Sequence, residues 1–405
     1  MKGVLLSGGT GSRLRPITHT GPKQLVPVAN KPVLEYAVED LKEAGITEIG
    51  VVLGHKGRDE IQELLGDGSE YGVDITYIVQ GEPLGLAHAA GCARDFVGDD
   101  DFVMYLGDNI LKSGITDLVE SFESGDYGAG IALQEVDEPQ AFGIADVDES
   151  GNVTRLVEKP DDPPTNLALI GMYVFSPAVF EAIDELEPSW RGELEITDAI
   201  QSLLDDGYEI DSQIVTGWWK DTGKPEDILE ANRLVLEDKE LHTAGVVEQG
   251  AETDGRIELA ESATIENGAV VRGPVSIAEN VTVGSGTYIG PYSSIGANST
   301  LEDIHVENSV VIGDSTLTAS GRIVDSLLGR NADVESADEL LPEAADSSSA
   351  RTHNSNCNHA DHHTQLPGLW DRRRGERTRR QPRDEVSGAR LSGGPALRGP
   401  PRGSA

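Results

Sequence analysis

Cysteine is nearly missing from this chain: 405 residues carry two. So few thiols exclude a disulfide framework and fit a reducing compartment. Cations are scarce too. Lysine and arginine number 32 against 71 aspartates and glutamates, a formal net charge of −39. A surface this acidic repels nucleic acid and anionic membranes. Long apolar runs are absent as well, and nothing approaches the ~18 residues of a membrane span. No signal peptide is visible, since the apolar run at residues 4–6 is too short and leads into glycines. These gaps predict a cytoplasmic protein whose partners are neither nucleic acid nor membrane. A shortage of lysine beside so many carboxylates also reads as the surface of a protein from a salt-loving organism, kept soluble by hydrated acids. What remains, 38% hydrophobic residues, is enough for a core, and the length suggests two or three domains.

The rest is organised around the N-terminus. Residues 3–6 read as a short buried strand that runs straight into Gly8, Gly9 and Gly11. Glycine lets the backbone approach a ligand, and consecutive N–H groups in such a loop make a concave anion site. Arg13 and Lys23 follow at fixed spacings, two cations where cations are rare. The stretch reads as a triphosphate cradle, with Leu6, Gly8, Gly9, Gly11 and Arg13 as nucleotide-binding candidates. A P-loop is excluded, because no Lys-Ser or Lys-Thr follows the glycines. The dinucleotide fingerprint fails at Leu14, where its third glycine belongs. A tight turn without a ligand is the bland alternative.

Downstream, an amphipathic segment at 34–44 ends before Gly45, apolar strands are expected at 49–54 and 75–79, and a helix at 61–65. Strands alternating with helices predict an α/β fold with a doubly wound, mostly parallel, Rossmann-like sheet. Ligands in such sheets bind at the carboxyl ends of the strands. Gln80 follows one strand, and its side chain offers a donor and an acceptor that match the imide edge of thymine or uracil. Gly85 opens a helix beside it. The alternative is a glutamine in solvent. Asp108 follows the apolar strand 102–106, a place suited to Mg²⁺, which takes one or two carboxylates plus phosphate oxygens. The alternative is a helix cap.

The order G-G-x-G-x-R-L-x-P, then Pro22-Lys23, resembles the signature of the sugar-1-phosphate nucleotidylyltransferases, nearest to the glucose-1-phosphate thymidylyltransferases. Gly107-Asp108-Asn109, Val157-Glu158-Lys159-Pro160 and Asp221-Thr222-Gly223 continue that resemblance in order over about the first 235 residues. Ser7 departs from it, since the family more often has alanine there. The resemblance implies that Gln80 and Gly85 hold the pyrimidine and that Asp108 and Asp221 are the two metal carboxylates. It implies that the Gly143 backbone and Glu158 meet the sugar, that Lys159 holds its phosphate, and that Asn166 and Glu193 are further sugar contacts. Phe142 stands where the family often has tyrosine, so no polar role is expected of it. Thr197-Asp198 reads as a helix start.

Arg13, Lys23 and Lys159 are the catalytic candidates. The implied reaction makes a nucleoside-diphosphate sugar, dTDP-glucose first, and pyrophosphate from glucose-1-phosphate and dTTP, with UTP as the alternative triphosphate. A non-catalytic regulatory relative would have lost Asp108, Asp221 or Lys23, and all three are present.

The second half is a repeat. Ile265, Val271, Ile277, Val283, Ile289, Ile295 and Leu301 recur every six residues, with glycine and asparagine between. That period predicts a left-handed parallel β-helix over 241–340 behind a catalytic domain over 1–240. The resemblance implies a module for assembly, hence a homo-oligomer. An acyltransferase β-helix is the rival, but it would rest on His305, the only histidine in the repeat from Ala263 onward, which reads as structural.

Residues 341–405 read as a disordered basic tail. From Ala345 onward there are eleven arginines, no lysine and six acids, so the charge reverses abruptly and no apolar period survives. Cys357, His359, His362 and His363 are too weak a cluster there to read as a metal site. We interpret the tail as a reading-frame shift in a GC-rich gene, against a basic nucleic-acid-binding tail. Digests of the protein from its native source should then lack a peptide spanning residues 391–398. Its detection by mass spectrometry would refute the frame shift.

Overall fold

The computed structural model describes residues 1–335, apart from Thr10, Thr20, Glu149, Ser150 and Leu241, together with 369–371. The expected tail otherwise lies outside the described residues. Among those residues no helix is long and apolar enough to cross a membrane.

The apolar N-terminal run forms β1 (Lys2–Ser7), at the centre of a nine-stranded sheet. Its partners are β2 (Glu48–Leu53), β3 (Asp74–Val79), β4 (Phe102–Leu106), β5 (Tyr127–Glu135), β6 (Gly143–Val147), β7 (Val153–Glu158), β8 (Leu167–Phe175) and β9 (Glu209–Ile214). The order is β7-β6-β8-β4-β1-β2-β3, with β5 pairing β8 and β9. β1 is parallel to both neighbours, pairing Leu5 with Val51 on one side and with Tyr105 on the other. The chain winds outward through β2 and β3, then returns to the far side of β1 as β4. The crevice between β1 and β4 is therefore a topological switch point, where open α/β sheets bind ligands.

Side chains alternate across the strands. Val4, Leu6 and Met104 enter one core, and Leu5, Val103 and Tyr105 the other. Helix α1 (Val33–Glu43) covers the second face with Leu34, Ala37, Val38 and Leu41. It ends as its sequence predicts: Gly45 has φ +82°, its N–H bonds to the Lys42 carbonyl and the Ile46 N–H to that of Leu41. These are the two bonds of a Schellman cap. The parallel core is as expected. The half beyond β4 is not doubly wound, because β8 runs antiparallel to β4, β5 and β6, and β6–β7 is a hairpin. From β5 to β8 the chain passes from strand to strand with no α-helix between, which favours antiparallel pairing there; β9, reached through the helices Val179–Glu185 and Ile196–Asp205, pairs parallel with β5.

After helix α2 (Pro225–Asp238), short parallel strands stack in a column. Ile265 pairs with Val283, Val271 with Ile289 and Ile277 with Ile295, each a step of 18 residues. Three six-residue repeats thus return to the same stack, and these aliphatics are all buried. The period blurs later because the step shortens: Ile289 pairs with Val306, and Leu301 with Leu317. His305 lies on the outside, its ring 5.4 Å from that of Tyr288.

Asp40 on α1 accepts a 2.7 Å hydrogen bond from the buried Tyr105 hydroxyl, and burial pushes its carboxyl from 3.8 up to about 6. The folded state then holds a proton between about pH 4 and 6 that the unfolded chain has lost, so this group makes the fold less stable as pH rises through that window. Asp40→Asn keeps an acceptor for the hydroxyl without the charge. Its melting temperature should gain on that of the parent from pH 4 to 7, and a pH-independent difference would contradict the assignment.

Candidate active site

The carboxyl edge of β1 and β4 gathers residues from distant parts of the chain. The glycine loop after β1 packs on Lys23 and Gln80: a Cβ on Gly9 would sit 2.6 Å from Lys23 Cε, and one on Gly8 2.8 Å from Gln80 Oε1. Gly11 has φ +61°, a conformation costly for side-chain-bearing residues. The Leu6 carbonyl accepts from the Gly107 N–H at 3.0 Å, joining the ends of the two strands just before Asp108.

Asp108 caps no helix, for the strand Asn109–Leu111 follows it. That strand pairs antiparallel with Trp219–Asp221, Asn109 opposite Asp221. The Asp108 carbonyl accepts from both the N–H and the hydroxyl of Thr222, at 2.9 and 2.8 Å. The D-T-G segment is thereby tied to the Gly-Asp-Asn segment by backbone. Lys23 Nζ forms an ion pair with Asp108 Oδ2, and Arg13 Nη2 lies 3.9 Å from Asp221 Oδ2. Burial, and then the charge of Asp108, push the Asp221 carboxyl up to about 6. Asp221 Oδ1 is buried without a hydrogen-bond partner.

Two neighbouring carboxylates, one with an unused buried oxygen, suit a hard divalent cation that takes its other ligands from phosphate and water. Among the described residues no group of three or more His, Cys, Asp or Glu could hold a metal alone. The set therefore fits Mg²⁺ bound together with a phosphate better than a closed structural site.

Arg13, Asp108, Asp221, Gly143, Glu158 and Lys159 all line one cavity of about 840 Å³. On its far wall Glu158 is held on both oxygens. Oε1 pairs with Lys159 Nζ at 2.9 Å and Arg191 Nη1 at 3.4 Å, and Oε2 accepts from the Thr197 hydroxyl at 2.9 Å. Lys159 has φ +41°, a strained backbone held at the cavity wall. Gly143 has no room for a side chain, since a Cβ would meet Thr197 Cγ2 at 2.6 Å. Phe142 stacks edge-on against Trp219, centroids 5.6 Å apart, an apolar role as expected.

Other expected residues stand apart from the lining. Gln80 is 5% exposed and bonds to His88 at 3.2 Å, so it is no loop residue in solvent. Gly85 (φ +118°) is fixed by packing, since a Cβ would lie 2.3 Å from the Leu194 carbonyl oxygen. Asn166 gives its carbonyl to the Val136 N–H at 3.0 Å, and Glu193 pairs with Arg191 at 3.0 Å. Neither is among the residues that line the cavity.

That reasoning also missed residues. Arg191 lines the cavity and bridges Glu158, Glu193 and Glu195, and its rarity as a cation was the available signal. Burial raises the Glu195 carboxyl beside it. Gln24, next to Lys23, is 1% exposed, and its Oε1 has no partner.

Comparison with known proteins agrees with this geometry. A family model described as nucleotidyl transferase matches residues 2–238. The chain is 83% identical over 343 residues to the low-salt glycan biosynthesis nucleotidyltransferase Agl11 of Haloferax volcanii, covering 85% of this chain and 96% of that protein. It is 48% identical over 335 residues to a glucose-1-phosphate thymidylyltransferase of Streptomyces antibioticus, covering 82% of this chain and 93% of that one. A Bacillus anthracis crystal structure in complex with sucrose, provisionally named a glucose-1-phosphate thymidylyltransferase, matches with 41% identity and a TM-score of 0.56, over 60% of this chain and 98% of that one. A glycine loop, two cations and two carboxylates meeting at the switch point, together with these matches, lead to one assignment: the chain belongs to the nucleotidyl transferase family, as a sugar-1-phosphate nucleotidyltransferase.

Proposed function

We propose that this protein makes dTDP-glucose and pyrophosphate from dTTP and glucose-1-phosphate. One observation carries the reading: at the end of β1 and β4, Lys23 pairs with Asp108 and Arg13 lies beside Asp221, and Arg13, Asp108 and Asp221 share one cavity with Glu158 and Lys159. An oxygen of the sugar phosphate attacks the α-phosphorus of the triphosphate. The bond from that phosphorus to the bridging oxygen breaks, and pyrophosphate leaves. No side-chain nucleophile is required, so rate comes from placement and charge.

The N–H groups of Gly8, Gly9 and Gly11 and the Arg13 guanidinium hold the triphosphate. Lys23 neutralises charge at the reacting phosphorus. Lys159 and Arg191 exchange part of their pairing with Glu158 for the sugar phosphate, and Glu158 is then free to accept from hexose hydroxyls. The Gly143 backbone completes that subsite. Gln80 and the Gly85 backbone read the pyrimidine edge. Glu193 acts through Arg191, and Asn166 through the backbone of Val136. Mg²⁺, when held by Asp108 and Asp221, would neutralise phosphate charge and help align the two substrates.

The thymidine assignment is supported by the Streptomyces relative, whose similarity extends over most of this chain. The column of parallel strands fits a left-handed β-helix over 241–340 that assembles copies of the chain, behind a catalytic domain over 1–240.

A pyrophosphate-release assay with glucose-1-phosphate and each of the four common triphosphates tests the substrate. dTTP should turn over fastest, ahead of UTP by the ~1–3 kcal/mol that one methyl group is worth in a pocket. Faster turnover with UTP would overturn the thymidine assignment. In the same assay Lys23→Ala should lower kcat by about 10²–10³, the usual cost of one preorganised charge. Near-parent turnover would remove Lys23 from the reaction.

A further inference from the structure

Asn232 is a polar side chain sealed in the middle of α2, with no exposed surface. It joins three segments at once. Its Oδ1 accepts from the Ala29 N–H at 2.9 Å and from the Ser294 hydroxyl at 2.7 Å. Its Nδ2 donates to the Tyr292 carbonyl at 2.9 Å. Ala29 lies at the tip of the hairpin Pro27–Val28/Lys31–Pro32, and Ser294 and Tyr292 belong to the column. The tip residues Ala29 and Asn30 have φ +49° and +63°, and Asn30 Nδ2 donates to Ser276 Oγ of the column at 2.9 Å. The hairpin thus touches both α2 and the column at its tip.

Both ends of this junction lead to the reacting centre. The hairpin begins four residues after Lys23, and the Val26 N–H bonds to the Lys23 carbonyl at 3.1 Å. Helix α2 begins four residues after Asp221. One apolar cluster surrounds the junction. Leu14 from beside Arg13, Val26, Ile110 from beside Asp108, and Ile228 of α2 pack there with Val310 and Leu327 of the column. Every segment bearing a charge of the reacting centre rests on that cluster. Asn232 is its directional part, because hydrogen bonds fix a register that apolar contact leaves free to slide.

We propose that Asn232 is a positioning residue for nucleotidyl transfer, and that the column, through Ser294 and Ser276, is part of the mount that sets Lys23 against Asp108 and Asp221. This rests on the reading of those three residues given above. The Glu158–Lys159 wall lies on the sheet, outside the cluster, so the sugar-phosphate subsite keeps its geometry when the junction is cut.

The test uses the full chain with dTTP and glucose-1-phosphate. Two variants cut the junction from opposite sides: Asn232→Ala, and the column-only pair Ser276→Ala/Ser294→Ala. Each should lower kcat about tenfold, less than the ~10²-fold that a full 1 Å misplacement can cost, with KM for glucose-1-phosphate within about twofold, measured well below the melting temperature. Asn232→Ala added to Lys23→Ala should cost little more than Lys23→Ala alone, since both act through one placement. A lower melting temperature with kcat within twofold of the parent would overturn the proposal, as would multiplicative losses in the combined variant. Should Asn232→Ala not fold, the serine pair decides alone. If Lys23→Ala itself keeps full turnover, the functional reading has failed; if it loses turnover and the junction variants do not, only this proposal has.

Discussion

The electrostatic balance at the end of β1 and β4 is the constraint on which the site depends. Two carboxylates, Asp108 and Asp221, are brought together by the backbone of Thr222 and the strand pairing around Asn109. Like charges held so close resist ionisation, and burial adds to that resistance, as the raised Asp221 carboxyl records. Lys23 and Arg13 offset part of the repulsion from the glycine-loop side. Catalytic sites carry such stored cost because groups arranged for a charged transition state are ill matched to each other without it. The fold supports that cost with close packing: glycine at 8, 9 and 11 leaves room for Lys23 and Gln80 to approach the loop.

This balance explains how much of the site could be read from sequence. Gly8 to Lys23 is one continuous segment, so the cradle and its cations were visible as a spacing. Asp108 was visible because a carboxylate right after an apolar strand has a predictable place at the sheet edge. Asp221 needed the resemblance, since only the ribbon pairing Asn109–Leu111 with Trp219–Asp221 carries it there. Arg191 was hidden differently. Its partners Glu158, Glu193 and Glu195 come from two segments, and no local period marks residues that meet only after β7 and the loop between the helices Val179–Glu185 and Ile196–Asp205 pack together. Asn166 and Glu193 show the reverse: they lie near a motif in sequence, yet the Asn166 backbone meets Val136, the Glu193 side chain meets Arg191, and neither residue lines the cavity.

The fold divides along a similar line. The parallel strands β1 to β4 follow from alternation of apolar strand and amphipathic helix, and α1 even ends at the glycine its sequence marks. The antiparallel pairings were illegible to that rule, which counts helices between strands and finds no α-helix from β5 to β8. The column was legible while its step held at 18 residues, and it faded once the step shortened near Val306. A period records how many residues a turn takes. It does not survive a corner that drops one, even though the buried aliphatic still reaches its stack.

The overall charge poses a last difficulty that the site resolves locally. A body this acidic repels the two anionic substrates it must bind, and steering by the whole surface works against it. Yet the cavity collects Arg13, Lys159, Arg191, Lys220 and Lys224 from a chain with few cations to spend. Concentrated salt shortens the reach of surface charge to about 3 Å at 1 M, while partly buried pairs are screened far less. Salt therefore silences the repulsion of the exterior and leaves the inner cations working at contact distance. An acidic exterior and a phosphate-binding interior are compatible because they act over different lengths, and the crevice between β1 and β4 is where the shorter one prevails.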